Sequence, residues 1–64
     1  MFEINKNKLI LAIAKTGYTA KEIAKVTGIS QTTISRFKAG TQKARPQTIN
    51  KLAKALNVEI EDLI

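Results

Sequence analysis

Residues that favour the left-handed backbone conformation occur at intervals along the chain, and they restrict it to a series of short helices. Gly17, Gly28 and Asn57 are each followed by an apolar residue. This pair is typical of a helix C-terminus, where the left-handed residue ends the helix and the apolar residue folds back on it. Gly40 also ends a segment, although the polar Thr41 follows it. The pattern predicts helices joined by tight turns.

Most of the predicted helices also have a suitable first residue. Asn5 and Ser30 are of the type that caps the free amides at a helix N-terminus, and Pro46 suits the first position of a helix. Thr19 and Glu22 have the spacing of a capping box. We therefore expect five helices, over residues 6–16, 20–27, 31–39, 46–56 and 60–64.

Apolar side chains recur at helical spacing within these segments. The residues expected to form the core are Leu9, Ala12, Ile13, Ile23, Ile29, Ile34, Phe37, Ile49, Leu52, Ala53 and Leu56. No segment alternates apolar and polar residues over a useful length, so strands are not expected, although residues 2–4 could form an extended arm. A length of 64 residues supports a single domain over residues 1–64. The expected fold is an all-α, compact five-helix domain.

The charge distribution is basic over most of the chain. Eleven Lys and Arg residues against five acids give a net charge of +6. No acid occurs between Ile23 and Val58, whereas three of the five acids lie in the last ten residues. A positive field attracts phosphate polyanions, so the charge favours nucleic acid as a partner. Basic charge also serves solubility alone, and composition does not separate the two interpretations.

The sequence contains neither Cys nor His. Their absence removes disulfides, the commonest metal ligands and the commonest general base. We therefore expect no enzyme, no metal site and no cofactor. The longest apolar run, residues 9–14, is shorter than the roughly 20 residues of a membrane span, and no signal-peptide cleavage site follows it. The sequence predicts a soluble cytoplasmic protein without a small-molecule ligand.

The stretch from Ala20 to Ala39 predicts two helices that cross at a steep angle through a short turn. Ala24 provides the small side chain that such a crossing requires, and Gly28 provides the left-handed residue of the turn. The second helix buries Ile29, Ile34 and Phe37, and it presents Gln31, Thr32, Ser35 and Arg36 outward. Outward side chains of this hydrogen-bonding type are what a helix needs to read base edges in the major groove.

At these residues the chain resembles the phage repressor and Cro-type helix-turn-helix family, also called Xre-like. The similar segments are residues 19–24, 34–40, 52–58 and 61–63, in the family's order and at its separations. The resemblance covers about residues 7–63 and implies a lambda-repressor-like DNA-binding domain in which helices 2 and 3 form the helix-turn-helix. The chain departs from the family at Ile13 and Lys38, where many members pair an Arg with a Glu.

The resemblance also implies roles for individual residues. The residues expected to contact bases are Gln31, Thr32, Ser35 and Arg36. The residues expected to contact phosphates are Thr19, Ala20, Ser30, Lys38, Lys43 and Arg45. A Gln–adenine pair and an Arg–guanine pair are the natural assignments for Gln31 and Arg36. Three alternatives stay open: Arg36 could bind a phosphate, Ser35 could be incidental, and Gln31 and Thr32 could simply be solvated.

A single recognition helix covers only a few base pairs, so specific operators are usually bound by symmetric pairs of subunits. We expect a homodimer on a palindromic site in double-stranded DNA. The resemblance places its contact at the C-terminal end, where Val58, Ile60, Leu63 and Ile64 offer apolar area. Ile10 and Leu11 on the first helix form a second candidate surface.

Two functional hypotheses follow from these interpretations. The first is a sequence-specific transcriptional regulator, a repressor of phage or mobile-element type, that reads the major groove with helix 31–39. The alternative is a protein-interaction module, such as an antitoxin or anti-repressor partner, that uses the apolar surface of the first helix. A gel shift with random and genomic DNA discriminates between the two.

Overall fold

The computed structural model describes residues 1–64 and consists mainly of four α-helices. Helix α1 spans Lys6–Thr16, α2 spans Ala20–Thr27, α3 spans Gln31–Ala39 and α4 spans Pro46–Leu56. These four helices have the bounds predicted from the sequence, and the predominantly helical character of the domain is confirmed. None of them is long and apolar enough to cross a membrane.

Local hydrogen bonds explain where the first two helices begin. The Oδ1 atom of Asn5 accepts from the amides of Asn7 and Lys8, both at 3.1 Å. At α2, the Thr19 hydroxyl accepts from the Glu22 amide at 3.2 Å, and the Glu22 carboxylate accepts from the Thr19 amide at 3.1 Å. The predicted cap and the predicted capping box are both present, so these starts are encoded by a few adjacent residues.

The four predicted helix stops all have a left-handed backbone. The φ angles are 73°, 74° and 75° at the three glycines and 56° at Asn57. Gly40 lacks an apolar follower, and a polar contact takes its place: the amide and the hydroxyl of Thr41 both donate to the Arg36 carbonyl, at 3.0 and 3.2 Å. The C-terminus of α3 is therefore capped by hydrogen bonds, as are the C-termini of the other helices.

The core lies where the helices meet. Helix α3 packs against α1 and α2, and α4 packs against α1, α2 and the C-terminal segment. The largest fully buried side chains are Leu9, Ile23, Ile34, Phe37, Ile49, Leu52 and Leu63. Ile13 and Ile29, which the pattern places in the core, are half-buried at its edge. Helix α3, the expected recognition helix, is thus anchored by Ile34 and Phe37, while its opposite side is exposed to solvent.

The prediction of a fifth α-helix over residues 60–64 is wrong. A single 3-10 turn spans Ile60–Asp62, and it ends at Leu63, whose amide donates to the Ile60 carbonyl at 2.9 Å. The Leu63 side chain is fully buried, and its carbonyl accepts from the Asn5 amide at 2.8 Å. A five-residue segment forms too few internal hydrogen bonds to offset the entropy of helix nucleation, so this tertiary contact decides the conformation.

The prediction that the chain contains no strands is also wrong. Strand β1, Phe2–Glu3, pairs antiparallel with strand β2, Lys43–Ala44, so that Phe2 faces Ala44 and Glu3 faces Lys43. A two-residue strand is too short to show an alternating pattern, and its partner lies about 40 positions away. The extended arm expected at residues 2–4 is therefore a paired strand followed by the buried Ile4.

Candidate nucleic-acid interface

The turn between α2 and α3 fixes the direction of the recognition helix. Gly28 adopts φ 74° and ψ 8°, and its amide donates to the Ala24 carbonyl at 2.9 Å. A Cβ atom added at Gly28 would meet no atom within 4 Å. The requirement for glycine is therefore conformational, because an L side chain strains a backbone at this φ even in open space.

Thr27 is a structural residue of this turn that the sequence interpretation missed. Its buried hydroxyl donates to the Ile23 carbonyl at 2.6 Å and accepts from the Ile29 amide at 3.2 Å. A similar arrangement occurs at the end of α1, where the Thr16 hydroxyl donates to the Ile13 carbonyl and accepts from the Tyr18 amide. A threonine directly before a glycine stop is the sequence signal, since such a hydroxyl can bond back to the preceding turn.

We expect Thr27→Val to destabilise the domain by about 1–3 kcal/mol, because the isosteric side chain removes the hydroxyl and leaves the half-buried Ile29 amide without its acceptor. Thermal unfolding followed by circular dichroism measures the change. Thr32→Val is the matched control, since Thr32 is exposed and its hydroxyl forms no hydrogen bond within the chain. Equal effects of the two substitutions would show that the Thr27 hydroxyl does not brace the turn.

The four residues proposed as base contacts lie on one exposed arc of α3. All four side chains, those of Gln31, Thr32, Ser35 and Arg36, are exposed, and none forms a hydrogen bond within the chain. On a helical wheel they span about 140°, opposite the buried Ile34 and Phe37. Their donors and acceptors are therefore free to bind an external partner. The packing of Ile34 and Phe37 in the core fixes the orientation of this face.

The N-terminus of α2 carries further unused donors. The Thr19 hydroxyl accepts from the Glu22 amide, and its hydrogen has no partner within the chain. The amides of Ala20 and Lys21 also donate to no protein atom. Free amides at the positive end of a helix favour a bound anion. The Glu22 carboxylate lies beside the same end, and it limits the positive potential there.

Two residues assigned to phosphate contact, Ser30 and Lys38, are less available to a phosphate. The Ser30 hydroxyl accepts from the Thr33 amide at 3.1 Å and donates to the Thr33 hydroxyl at 2.9 Å. Its only proton is therefore used, and a phosphate contact by this side chain requires that bond to be exchanged. Lys38 is half-buried rather than fully exposed. Its long aliphatic stem can pack on the protein while the ammonium reaches solvent.

The segment after α3 carries the other two basic residues. Lys43 is exposed on strand β2, and Arg45 is exposed at the residue that precedes α4. The Arg45 side chain makes no capping hydrogen bond, so its guanidinium is not committed to the helix. Ala44 between them is buried, which holds this part of the chain against the core. Lys43 and Arg45 therefore project from an ordered segment directly beyond the recognition helix.

Comparison with known proteins agrees with this geometry. A family model described as helix-turn-helix, of the Xre/Cro-like type, matches residues 9–63. The chain belongs to the Xre/Cro-like helix-turn-helix family. It is accordingly a DNA-binding regulator of this type, with double-stranded DNA as its partner. No curated protein and no solved structure matches the chain.

The chain differs from many Xre/Cro-like members where they pair an Arg on the first helix with a Glu near the end of the recognition helix. Here Ile13 packs half-buried against the core, and Lys38 lies on α3. An apolar contact in place of an ion pair costs little, because the desolvation of a buried pair offsets much of its attraction. The substitution also leaves α3 without any acid.

The residues expected at the dimer contact are not equally available. Leu63 is fully buried and offers no surface, whereas Ile64 is 43% exposed. Val58 and Ile60 are half-buried against the core. On the first helix, the side chains of Ile10 and Leu11 are exposed, and Leu11 lines a groove together with Val58. The two candidate surfaces thus adjoin each other at this groove.

Proposed function

We propose that the chain is a sequence-specific transcriptional repressor, of the type found in phages and mobile elements, that occludes a promoter by binding as a homodimer to a palindromic operator. The observation that carries the proposal is the exposed arc of α3, whose four hydrogen-bonding side chains have no internal partners. A protein that bound DNA through charge alone would not require such a face.

The proposed readout assigns different tasks to different residues. Gln31 pairs with adenine and Arg36 pairs with guanine, because each side chain presents the bidentate pattern that the base edge requires. Thr32 and Ser35 lie beside them and contact neighbouring edges or methyl groups. These residues decide which sequence is preferred, and they contribute little to binding on other sequences.

The phosphate contacts come from the surrounding elements. The proposed contacts are Thr19, Ala20, Ser30, Lys38, Lys43 and Arg45. Support comes from the free Thr19 proton, the free Ala20 amide, and the exposed positions of Lys43 and Arg45. Each cation that neutralises a phosphate releases condensed counterions, so these contacts set the orientation and the salt dependence of binding.

The proposed dimer contact uses Val58, Ile60 and Ile64, extended by Leu11 where the first helix meets Val58. The groove that Leu11 and Val58 share is flanked by Lys8, Lys15 and Asp62. Both signs of charge on one patch suit a twofold contact, in which a residue of one subunit meets a different residue of the other.

Binding-site selection from randomised duplexes tests the proposal. We expect an enriched palindrome whose half-sites lie about 34 Å, or one DNA turn, apart. The half-site sequence reports base readout, and the spacing reports the symmetric dimer. Enrichment of no sequence at moderate ionic strength would contradict the proposed repressor, and a single unrepeated half-site would contradict the dimer.

Lys43→Ala is expected to weaken binding to every duplex by the same factor. The reason is that a phosphate contact carries no sequence information, and its loss lowers the slope of log affinity against log salt by about 0.9. Titrations of the selected site and of a scrambled duplex at several salt concentrations measure both quantities. A loss confined to the selected site would identify Lys43 as a base contact instead.

The alternative function, a protein-interaction module, is favoured by one observation: Ile10 is 46% exposed and Leu11 is 57% exposed on the same helix. A gel shift with random and genomic DNA separates the two functions, and Leu11→Lys tests the dimer contact. Under the repressor hypothesis this variant loses dimerisation on the operator but retains binding to a single half-site. If the wild-type chain shows no preference among duplexes, the module hypothesis replaces the repressor.

A further inference from the structure

The first residues of the chain lie outside the part that matches the family, which begins at Leu9. In the structure they do not extend away from the domain. Strand β1 pairs with the segment that follows the recognition helix, and Ile4 is buried in the core. The N-terminal element therefore lies directly beside the segment that carries the proposed phosphate contacts.

The pairing with β1 and the burial of Ala44 hold that segment in place. Strand β2 contains Lys43, which faces Glu3, and the buried Ala44, which faces Phe2. The N-terminal element is itself fixed, since the Asn5 amide donates to the Leu63 carbonyl at 2.8 Å. A loop held by a paired strand loses less conformational entropy when it binds than a free loop does. The backbone at Lys43 is therefore already ordered in the free protein.

Lys6, the first residue of α1, adds a cation at the same place. Its side chain lies across Gly40, so closely that a Cβ atom at Gly40 would be 3.3 Å from the Lys6 Cδ. Gly40 ends the recognition helix. Lys6 is exposed, and it lines a groove of about 440 Å³ together with Lys43, Thr41 and Gln42. Two lysines therefore place positive charge on one groove beside the recognition helix.

Glu3 opposes this attraction. It faces Lys43 across the two strands, where directly opposite Cβ atoms are roughly 5 Å apart, and it also lines the groove. Its carboxylate reduces the positive potential that a phosphate would meet. In the N-terminal element, strand β1 orders the segment that carries Lys43, Lys6 adds positive charge, and Glu3 reduces the positive potential.

We propose that residues 2–6 form a second part of the DNA-binding surface, in which β1 positions Lys43 and Lys6 contacts a backbone phosphate of the duplex. The proposal rests on the proposed function, because it assigns a phosphate contact to Lys43. It extends that function to a segment that the family match does not cover and to a lysine that the helix-turn-helix interpretation leaves unassigned.

The role of the strand is tested by comparing two variants that both lack the Glu3 carboxylate. Glu3→Gln keeps the strand, and we expect it to bind all duplexes about twofold more tightly, since a nearby repulsive charge is removed. Deletion of Phe2 and Glu3, with Met1 joined to Ile4, removes the strand as well. We expect it to bind about fivefold more weakly than Glu3→Gln at ~0.15 M salt, with a salt slope lower by about 0.9.

The role of Lys6 is tested against a matched lysine elsewhere on the surface. Lys51 is exposed on α4 and belongs to neither the proposed DNA contacts nor the proposed dimer contact. We expect Lys6→Ala to weaken binding about fivefold at ~0.15 M salt and to lower the salt slope by about 0.9, with Lys51→Ala unchanged. Because both residues are exposed, neither substitution threatens the fold.

The outcomes separate this proposal from the function on which it rests. Equal affinity and equal salt slope for the deletion and for Glu3→Gln would overturn the positioning role, and circular dichroism below the melting temperature shows whether the deletion remains folded. Should the deletion unfold, Lys6→Ala still decides, since wild-type behaviour in that variant overturns the proposed surface. Failure of the wild-type chain to bind any duplex overturns the DNA-binding mode itself.

Discussion

Arg36→Ala is expected to reduce affinity for the selected operator by about 1–3 kcal/mol and to remove the preference at one base position of each half-site. Arg36 is exposed on the arc of α3 opposite the core, and its guanidinium has no partner within the chain. Its backbone carbonyl accepts from the amides of Gly40 and Thr41 and from the Thr41 hydroxyl. A bidentate guanine contact is lost completely on truncation, because no neighbouring residue on this face can replace it.

Arg36→Lys distinguishes base contact from phosphate contact, the alternative that the sequence leaves open. Lysine keeps the charge but lacks the planar pair of donors that matches guanine. If Arg36 reads a base, the lysine variant loses the preference at that position and keeps the wild-type salt slope. If Arg36 binds a phosphate, it keeps the preference, and Arg36→Ala then weakens operator and scrambled DNA equally.

Phe37→Ala is expected to cost about 3–5 kcal/mol of folding free energy. The side chain is 1% exposed, and it is among the largest fully buried side chains of the domain. A domain of 64 residues has a total stability of roughly 3–10 kcal/mol. The substitution therefore removes a large part of that stability, and DNA binding at 37 °C falls with the folded fraction. Urea denaturation measures the loss.

Leu11→Ala is the control for this prediction. It also shortens a large apolar side chain, but Leu11 is 57% exposed, so the change in stability is expected to stay within about 0.5 kcal/mol. A cost below about 1 kcal/mol for Phe37→Ala would mean that the inner face of α3 is not packed as the structure shows. The base-contact face would then lack its support.

Helix boundaries were predictable from the sequence because they depend on neighbours in the chain. The hydroxyl and carboxylate of Thr19 and Glu22 bond amides three residues away. The stops at Gly17 and Asn57 require a left-handed backbone at a single residue. Such interactions are complete within one helical turn, so the residues that encode them are adjacent in the sequence.

The candidate interface was predictable for a related reason. Helical spacing alone separates the buried Ile34 and Phe37 from the outward residues of α3, and all four outward residues are exposed in the structure. Spacing cannot show which hydroxyls are already used. Ser30 has the residue type of a phosphate ligand, yet its proton is donated to Thr33, and Thr27 has a hidden role in the turn.

Local sequence patterns are enough to predict four helices, their caps and the outward face of the recognition helix, since each depends on contacts within a few residues. They do not predict that residues 2–3 pair with residues 43–44, that Leu63 is buried in the core or that Lys6 lies across Gly40. Those contacts join residues about 35 to 60 positions apart. Their energy comes from burial and pairing that exist only once the helices have packed, so no local pattern records them.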